Sequence, residues 1–249
     1  FYTHAYTMQY GEPFTHTGVL GIWTPGEQTI VSAGVTNGWD NYSDAVPVNG
    51  PWAITNTGYP GSGSNAAFLG GVTLKSVDEK QSLSLTTTSG NEYTAQGPSP
   101  ADGSLVGNRS LISAVYTNAL TDRLTYVFQN DNAWQFNAGP AYPGNIGQPG
   151  GLAQWYSFSQ YLFWKFDERC TGGVRLEYFR DNNGYKITTP LRNYCQAGNP
   201  GYYAGGFAGN FWELTCGLNY RASRNWLIRP ELRYDWFVPN AGVTARPYG

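Results

Sequence analysis

Strict alternation along residues 211–237 leaves very few folds open to this chain. One parity carries Trp212, Leu214, Cys216, Leu218 and Tyr220, then Trp226, Ile228, Pro230, Leu232, Tyr234 and Trp236. The other carries Phe211, Glu213, Thr215, Gly217 and Asn219, then Leu227, Arg229, Glu231, Arg233 and Asp235. Successive side chains of a strand point to opposite faces, so the pattern describes two strands joined by a short turn. One face is apolar and aromatic, the other charged. A soluble sandwich also alternates, so the placement of the aromatic residues is what discriminates. Trp226 and Trp236 are separated by a stretch of strand ~33 Å long at about 3.3 Å per residue. Tilted by ~40°, it climbs roughly 25 Å, the height of the apolar band of an outer-membrane barrel. Aliphatic residues with tryptophan at both ends suit a lipid-facing strand between two aromatic girdles.

The rest of the chain repeats the theme. Strands are predicted over residues 1–10, 14–23, 28–37, 67–76, 81–88, 108–119, 123–130, 154–166 and 172–180, followed by the hairpin above. Short turns at 24–27, 77–80, 120–122, 167–169 and 221–225 alternate with long Gly-, Pro- and Asn-rich segments at 38–65, 89–107, 131–151 and 181–209. Long irregular loops count against a compact soluble domain, whereas outer-membrane barrels pair short turns on one side with long loops on the other. About eleven strands are visible; because single-chain bacterial barrels have an even number, a count of twelve or more is expected. No segment has a capped helical stripe. A propeller would need a recurring motif, which the spacing of strand pairs does not bring with it.

Composition agrees. Only 13% of the 249 residues are charged while 16% are aromatic, a balance that suits closed β-architecture with a lipid-facing surface. No apolar run reaches the ~18 residues of a membrane helix. A net charge of -2 argues against nucleic acid as a partner. Three cysteines make no disulfide framework, and a Cys170–Cys195 bridge would join opposite ends of the barrel, so free thiols are expected. The chain lacks an initiator Met, a signal peptide and an aromatic closing strand, and reads as a partial chain forming a single β-barrel domain over 1–249.

The charged parity supplies the pore-lining candidates: Arg229, Glu231, Arg233 and Asp235, with Glu213, Arg175, Glu177 and Lys165 from neighbouring strands. A turn that sets Tyr220 opposite Trp226 puts Glu213 across from Arg233 and Gly217 across from Arg229. Such a wall either selects solutes through its field or forms a lattice of ion pairs that stiffens the barrel. The lipid-facing aromatic girdle is assigned to Trp164, Trp212, Tyr220, Trp226, Tyr234 and Trp236. Leu232→Arg is therefore expected to block assembly, and Thr215→Arg to be far milder. Asn37-Gly38-Trp39-Asp40-Asn41 reads as a strand exit. His4 and His16 stand too far out of register to share a metal. No zinc spacing, P-loop, dinucleotide fingerprint or Gly-x-Ser-x-Gly is present, so no catalytic residue, metal or cofactor is assigned.

Residues 14–23 (FTHTGVLGIW), 37–41 (NGWDN) and 225–236 (NWLIRPELRYDW) resemble the OmpL-like β-barrel porins of Gram-negative bacteria, a family with many planctomycete sequences. The resemblance implies an outer-membrane location and passive diffusion of small polar solutes, with outer-membrane lipid as surroundings and no enzymatic activity. Porins often form homo-oligomers, and no residue here decides that. Pro230, inside a predicted strand, should force a bulge. The reading is thus an all-β, transmembrane, antiparallel up-and-down β-barrel acting as a porin. A structural or adhesive barrel with a plugged lumen stands as the alternative, and a soluble glycan-binding β-protein behind it.

Overall fold

The structure, a computed structural model, describes residues 1–40, 66–93, 106–136, 152–187, 207–242 and 247–248. Its strands are β1 (Gly18–Gly26), β2 (Thr29–Thr36), β3 (Ala67–Lys75), β4 (Gln81–Tyr93), β5 (Val106–Ala119), β6 (Leu124–Gln135), β7 (Ala153–Lys165), β8 (Cys170–Asp181), β9 (Gly209–Arg221), β10 (Leu227–Ile228) and β11 (Glu231–Pro239). They form one antiparallel sheet in which β1 to β10 pair in sequence order, and β11 pairs with β9 alongside β10. The topology is up-and-down throughout. Among the described residues β1 and β11 have no second partner strand, so the sheet is open between them.

The short turns are closed by their own side chains. The Asp78 carboxylate accepts from the Ser76 hydroxyl at 2.6 Å and the Lys80 N–H at 3.2 Å. Thr121 Oγ1 accepts from the N–H groups of Arg123 and Leu124, and Asp167 Oδ1 from those of Arg169 and Cys170. Asp, Ser and Thr standing at these positions give the chain a local alternative to continued pairing, which is why the strands reverse there.

The last hairpin differs from the expectation in two ways. Its register sets Tyr220 against Ile228, Glu231 against Gly217 and Asp235 against Glu213. The turn therefore holds two more residues than a Tyr220–Trp226 pairing allows, and Glu213 faces Asp235 while Arg233 faces Thr215. Pro230 makes no bulge, because the register is the same on both sides of it. Its carbonyl still accepts from the Leu218 N–H at 3.0 Å. Only the bond that needs a proline N–H is lost, which breaks the outermost stave into β10 and β11 without shifting it.

Burial is inverted relative to a soluble protein. Glu177, Glu213, Thr215, Ser157, Ser159 and Arg175 are buried, whereas Val174, Leu176, Leu214, Leu218 and Leu232 on the opposite parity are exposed. Ionised groups are normally the last to leave water. Here the polar parity forms the inner face and the apolar parity the outer. Among the described residues an aromatic core, which includes Trp39, Trp155, Phe179, Phe207 and Phe211, sits on the inner face at the end of the long connections.

Candidate functional site: a charged inner wall and the segment it holds

Antiparallel register aligns the inner residues of successive strands into rows. One row runs Gln129, Ser159, Glu177, Glu213, Asp235 from β6 through β11. The next, towards the short turns, runs Val127, Tyr161, Arg175, Thr215, Arg233. Three carboxylates in line would repel each other across the strands. The arginines relieve this diagonally. Arg175 Nε donates to both oxygens of Glu213 at 2.9 Å, and Arg233 Nε and Nη2 donate to Asp235 at 2.7–3.0 Å. Arg233 Nη1 also approaches Glu213 to 3.9 Å. Two cations thus serve Glu213 and Asp235, and Glu177 is left without one.

What Glu177 has instead is the N-terminal segment. Residues 1–10, predicted as a strand, pair with no strand; they lie across the inner face with a π-helical turn at Thr7–Gly11. Their backbone groups, which in a strand would go to a ladder, go to wall side chains. Glu177 accepts from the N–H groups of Tyr6 at 2.6 Å and Thr7 at 2.7 Å. Glu231 accepts from those of Tyr2 at 2.7 Å and Thr3 at 3.2 Å, and from the Thr3 hydroxyl. Arg175 donates to the Thr3 carbonyl at 3.0 Å, Arg233 to that of His4 at 2.5 Å, and the Trp155 indole to that of Gly11 at 2.9 Å. The Thr7 hydroxyl donates to Asp131 at 2.6 Å. Both guanidinium groups also cover rings of the segment, Arg175 at 4.9 Å from Phe1 and Arg233 at 5.2 Å from Tyr6.

Direction follows from these contacts. Phe1 packs on Phe163 in the short-turn half, where Gly173 and Gly217 leave room: a Cβ at Gly173 would come within 3.1 Å of the Phe1 ring. Gly11 lies beside Trp155 and Phe179 in the long-connection half. The segment therefore runs the length of the inner face before the chain enters β1. Beyond the turn, Gln129 Nε2 donates to both Glu12 and Asp131. Burial first, and then the negative charge of Asp131, push the Glu12 carboxyl up to about 7. NGWDN helps set the exit: Gly38 and Asp40 take positive φ, and Asp40 accepts from the Phe14 and Thr15 N–H groups, while Trp39 is buried in the core. Asn41 lies outside the described residues.

Of the eight pore-lining candidates, six (Arg175, Glu177, Glu213, Glu231, Arg233 and Asp235) meet on this wall. Lys165 instead pairs with Glu168 at 2.6 Å at the short-turn end, and Arg229 is exposed between β10 and β11. Gln129, Asp131, Glu12 and Trp155 were not singled out from the sequence. The β6 pair stood on the inward parity of β6, but within or beside a stretch assigned to an irregular segment; Glu12 and Trp155 carried no signal of their own.

Five of the six aromatic candidates stand on the outer face of the sheet. Trp164 and Tyr220 lie near the short turns with Trp226 in the turn itself, all exposed. Trp212 and Trp236 stack towards the other end with centroids 5.8 Å apart, Tyr234 beside them. Cys170 and Cys216 are free; Cys195 lies outside the described residues. Among the described residues no group of three or more His, Cys, Asp or Glu side chains could hold a metal.

An up-and-down sheet with a polar inner wall and an apolar outer one is the architecture of one class of proteins. A family model described as "Putative beta-barrel porin-2, OmpL-like" matches residues 1–246. The chain belongs to that family. No curated protein and no solved structure matches it. As a member of the OmpL-like family it is a porin-type β-barrel protein, and the charged rows with their resident segment are this member's inner wall.

Proposed function

We propose that the protein sits in the bacterial outer membrane, short turns on the periplasmic side, and lets small polar solutes diffuse through its lumen. The inverted burial carries the reading: exposed Leu232, Val174 and Leu218 on one parity, buried Glu177, Glu213 and Arg175 on the other. That arrangement is costly in water and favourable when hydrocarbon surrounds the outer face.

The N-terminal segment refines how solutes pass. It covers the charged rows of β6 to β11, whose groups bind its backbone or one another instead of facing the channel. The inner positions of β2 to β5 carry Ser32, Thr73, Ser84, Thr86, Ser113 and Thr117 interspersed with Ile30, Leu69 and Val115, a neutral surface whose hydroxyls offer hydrogen bonds without a field. Solutes follow this hydroxyl wall, and discrimination between cations and anions is weak.

The test is conductance of the purified chain in planar bilayers, with the reversal potential read across a salt gradient. Steps with a reversal potential near zero are expected. A folded, inserted protein without conductance would favour the second reading, a structural barrel plugged by residues 1–14, for which the segment's position is the specific support. A protein that stays soluble without detergent would overturn both.

A further inference from the structure

We propose that the inner wall of β7 to β11 is a binding site for short peptides with aromatic residues spaced like Phe1 and Tyr6, and that the N-terminal segment is its intramolecular occupant. This rests on the diffusion reading above and names a class of solute for that channel. Four wall side chains read the segment's main chain. Glu231 accepts from the consecutive N–H groups of Tyr2 and Thr3, and Glu177 from those of Tyr6 and Thr7. Between them Arg175 donates to the Thr3 carbonyl and Arg233 to the His4 carbonyl. Every peptide carries N–H and C=O groups, so these bonds require a polypeptide without requiring this sequence. Selection falls to two rings. Phe1 lies against Tyr161 and Phe163 beneath Arg175, where Gly173 and Gly217 leave room, and Tyr6 lies against Phe179 and Phe211 beneath Arg233.

The wall sets this site without help from its occupant. Each arginine divides its donors. Nε stays within the wall, bonded from Arg175 to Glu213 at 2.9 Å and from Arg233 to Asp235 at 2.8 Å. Nη1 turns to the segment, at 3.0 Å from Arg175 and 2.5 Å from Arg233. The bonds inside the wall fix both guanidinium planes whether or not the segment is seated. The ring pockets are likewise made of wall residues: Tyr161 and Phe163 stack with centroids 6.2 Å apart, and Phe179 and Phe211 meet edge-on at 6.4 Å. Anchors held in place beforehand spare a ligand the cost of ordering them. An inorganic ion or a single amino acid meets one anchor at a time. A peptide reaches from Glu231 to Glu177 and meets all four, its amino end towards the short turns as the segment's is.

The experiment titrates the full chain in detergent with a fluorescently labelled peptide of the sequence FYTHAYTMQYG and reads anisotropy. In wild type the resident segment competes as a tethered ligand at millimolar effective concentration. F1A/Y6A removes the segment's two rings and leaves every wall residue in place, so this variant should bind the peptide at least ~10-fold more tightly than wild type does. Adding E177Q/E231Q to that variant should abolish the gain, and a peptide with alanine in place of both rings should show none. Equal weak binding to wild type and F1A/Y6A, or a gain that survives E177Q/E231Q, overturns the site. Wild type decides the matter even where the variants do not fold: millimolar peptide should speed proteolysis within residues 1–14, the ring-less peptide should not, and unchanged cleavage overturns the site. Binding is read without a membrane or a current, so a chain that takes up the peptide but passes no ions in planar bilayers overturns the diffusion reading alone.

Discussion

Glu177→Gln should loosen the N-terminal segment without unfolding the sheet. Glu177 is fully buried and each of its oxygens takes one backbone N–H, from Tyr6 at 2.6 Å and Thr7 at 2.7 Å. Bonds to a charged acceptor contribute ~1.5–3 kcal/mol each. Glutamine keeps one acceptor and turns an amide donor towards the other N–H, so one bond is lost and a buried donor is left unmet, a penalty of ~1–3 kcal/mol. An opposing effect comes from Glu213, which stands directly across the strand pair, because removing one charge of the pair relieves repulsion. The net expectation is a hold weaker by ~1–3 kcal/mol, or roughly 5- to 150-fold in the ratio of seated to released segment. Single-channel recording in planar bilayers should show larger or noisier steps, and limited proteolysis of the inserted protein should cut within residues 1–14 sooner. Heat-modifiability on gels, which reads the sheet itself, should be unchanged. Wild-type conductance together with wild-type proteolysis would refute the idea that Glu177 clamps the segment.

Other perturbations test the remaining contacts. Leu232→Arg puts charge on the most exposed leucine of the outer face and should lower folding into vesicles by ~2–4 kcal/mol. Its mild counterpart is Thr86→Arg on the inner face, since Thr215 is fully buried beside Glu213 beneath the segment; equal losses at positions 232 and 86 would reverse the facing. Trp155→Phe deletes the indole bond to the Gly11 carbonyl and should cost about 1 kcal/mol of the segment's hold, read by the same proteolysis. Glu12 predicts a pH effect. Its carboxyl sits at about 7 when the segment is seated, above its ordinary value of 4.5, so between those values the seated form keeps a proton that the released form gives up. The hold is therefore strongest below about pH 4.5 and weakens as pH rises through 7; Glu12→Gln should flatten the profile between pH 5 and 8, and a wild-type hold that strengthens with pH would contradict it.

Much of the wall could be read from residue order. Side-chain alternation is a property of the strand itself, so Glu213, Arg233, Leu214 and Leu232 fall on their faces whatever the rest of the chain does. The short turns were legible for a similar reason: Asp78, Thr121 and Asp167 act on N–H groups two or three residues away. Register was harder. A slip of two residues keeps every side chain on its face, so parity could not distinguish Glu213 opposite Arg233 from Glu213 opposite Asp235. Pro230 misled because its ring forbids one bond without demanding an extra residue.

The N-terminal segment marks the limit of such reading. FYTHAYTMQY has the β-branched and aromatic residues of a strand, and nothing local says otherwise. Its conformation follows from acceptors far along the chain, Glu177 and Glu231, that bind backbone and so require no particular side chain in return. Strand identity, facing and turn chemistry are near-neighbour effects and were already present in the order of residues. The use of the inner charges is a long-range effect: only when β8, β9 and β11 stand side by side do two arginines meet four carboxylates, leaving Glu177 and Glu231 to hold the segment that covers the wall.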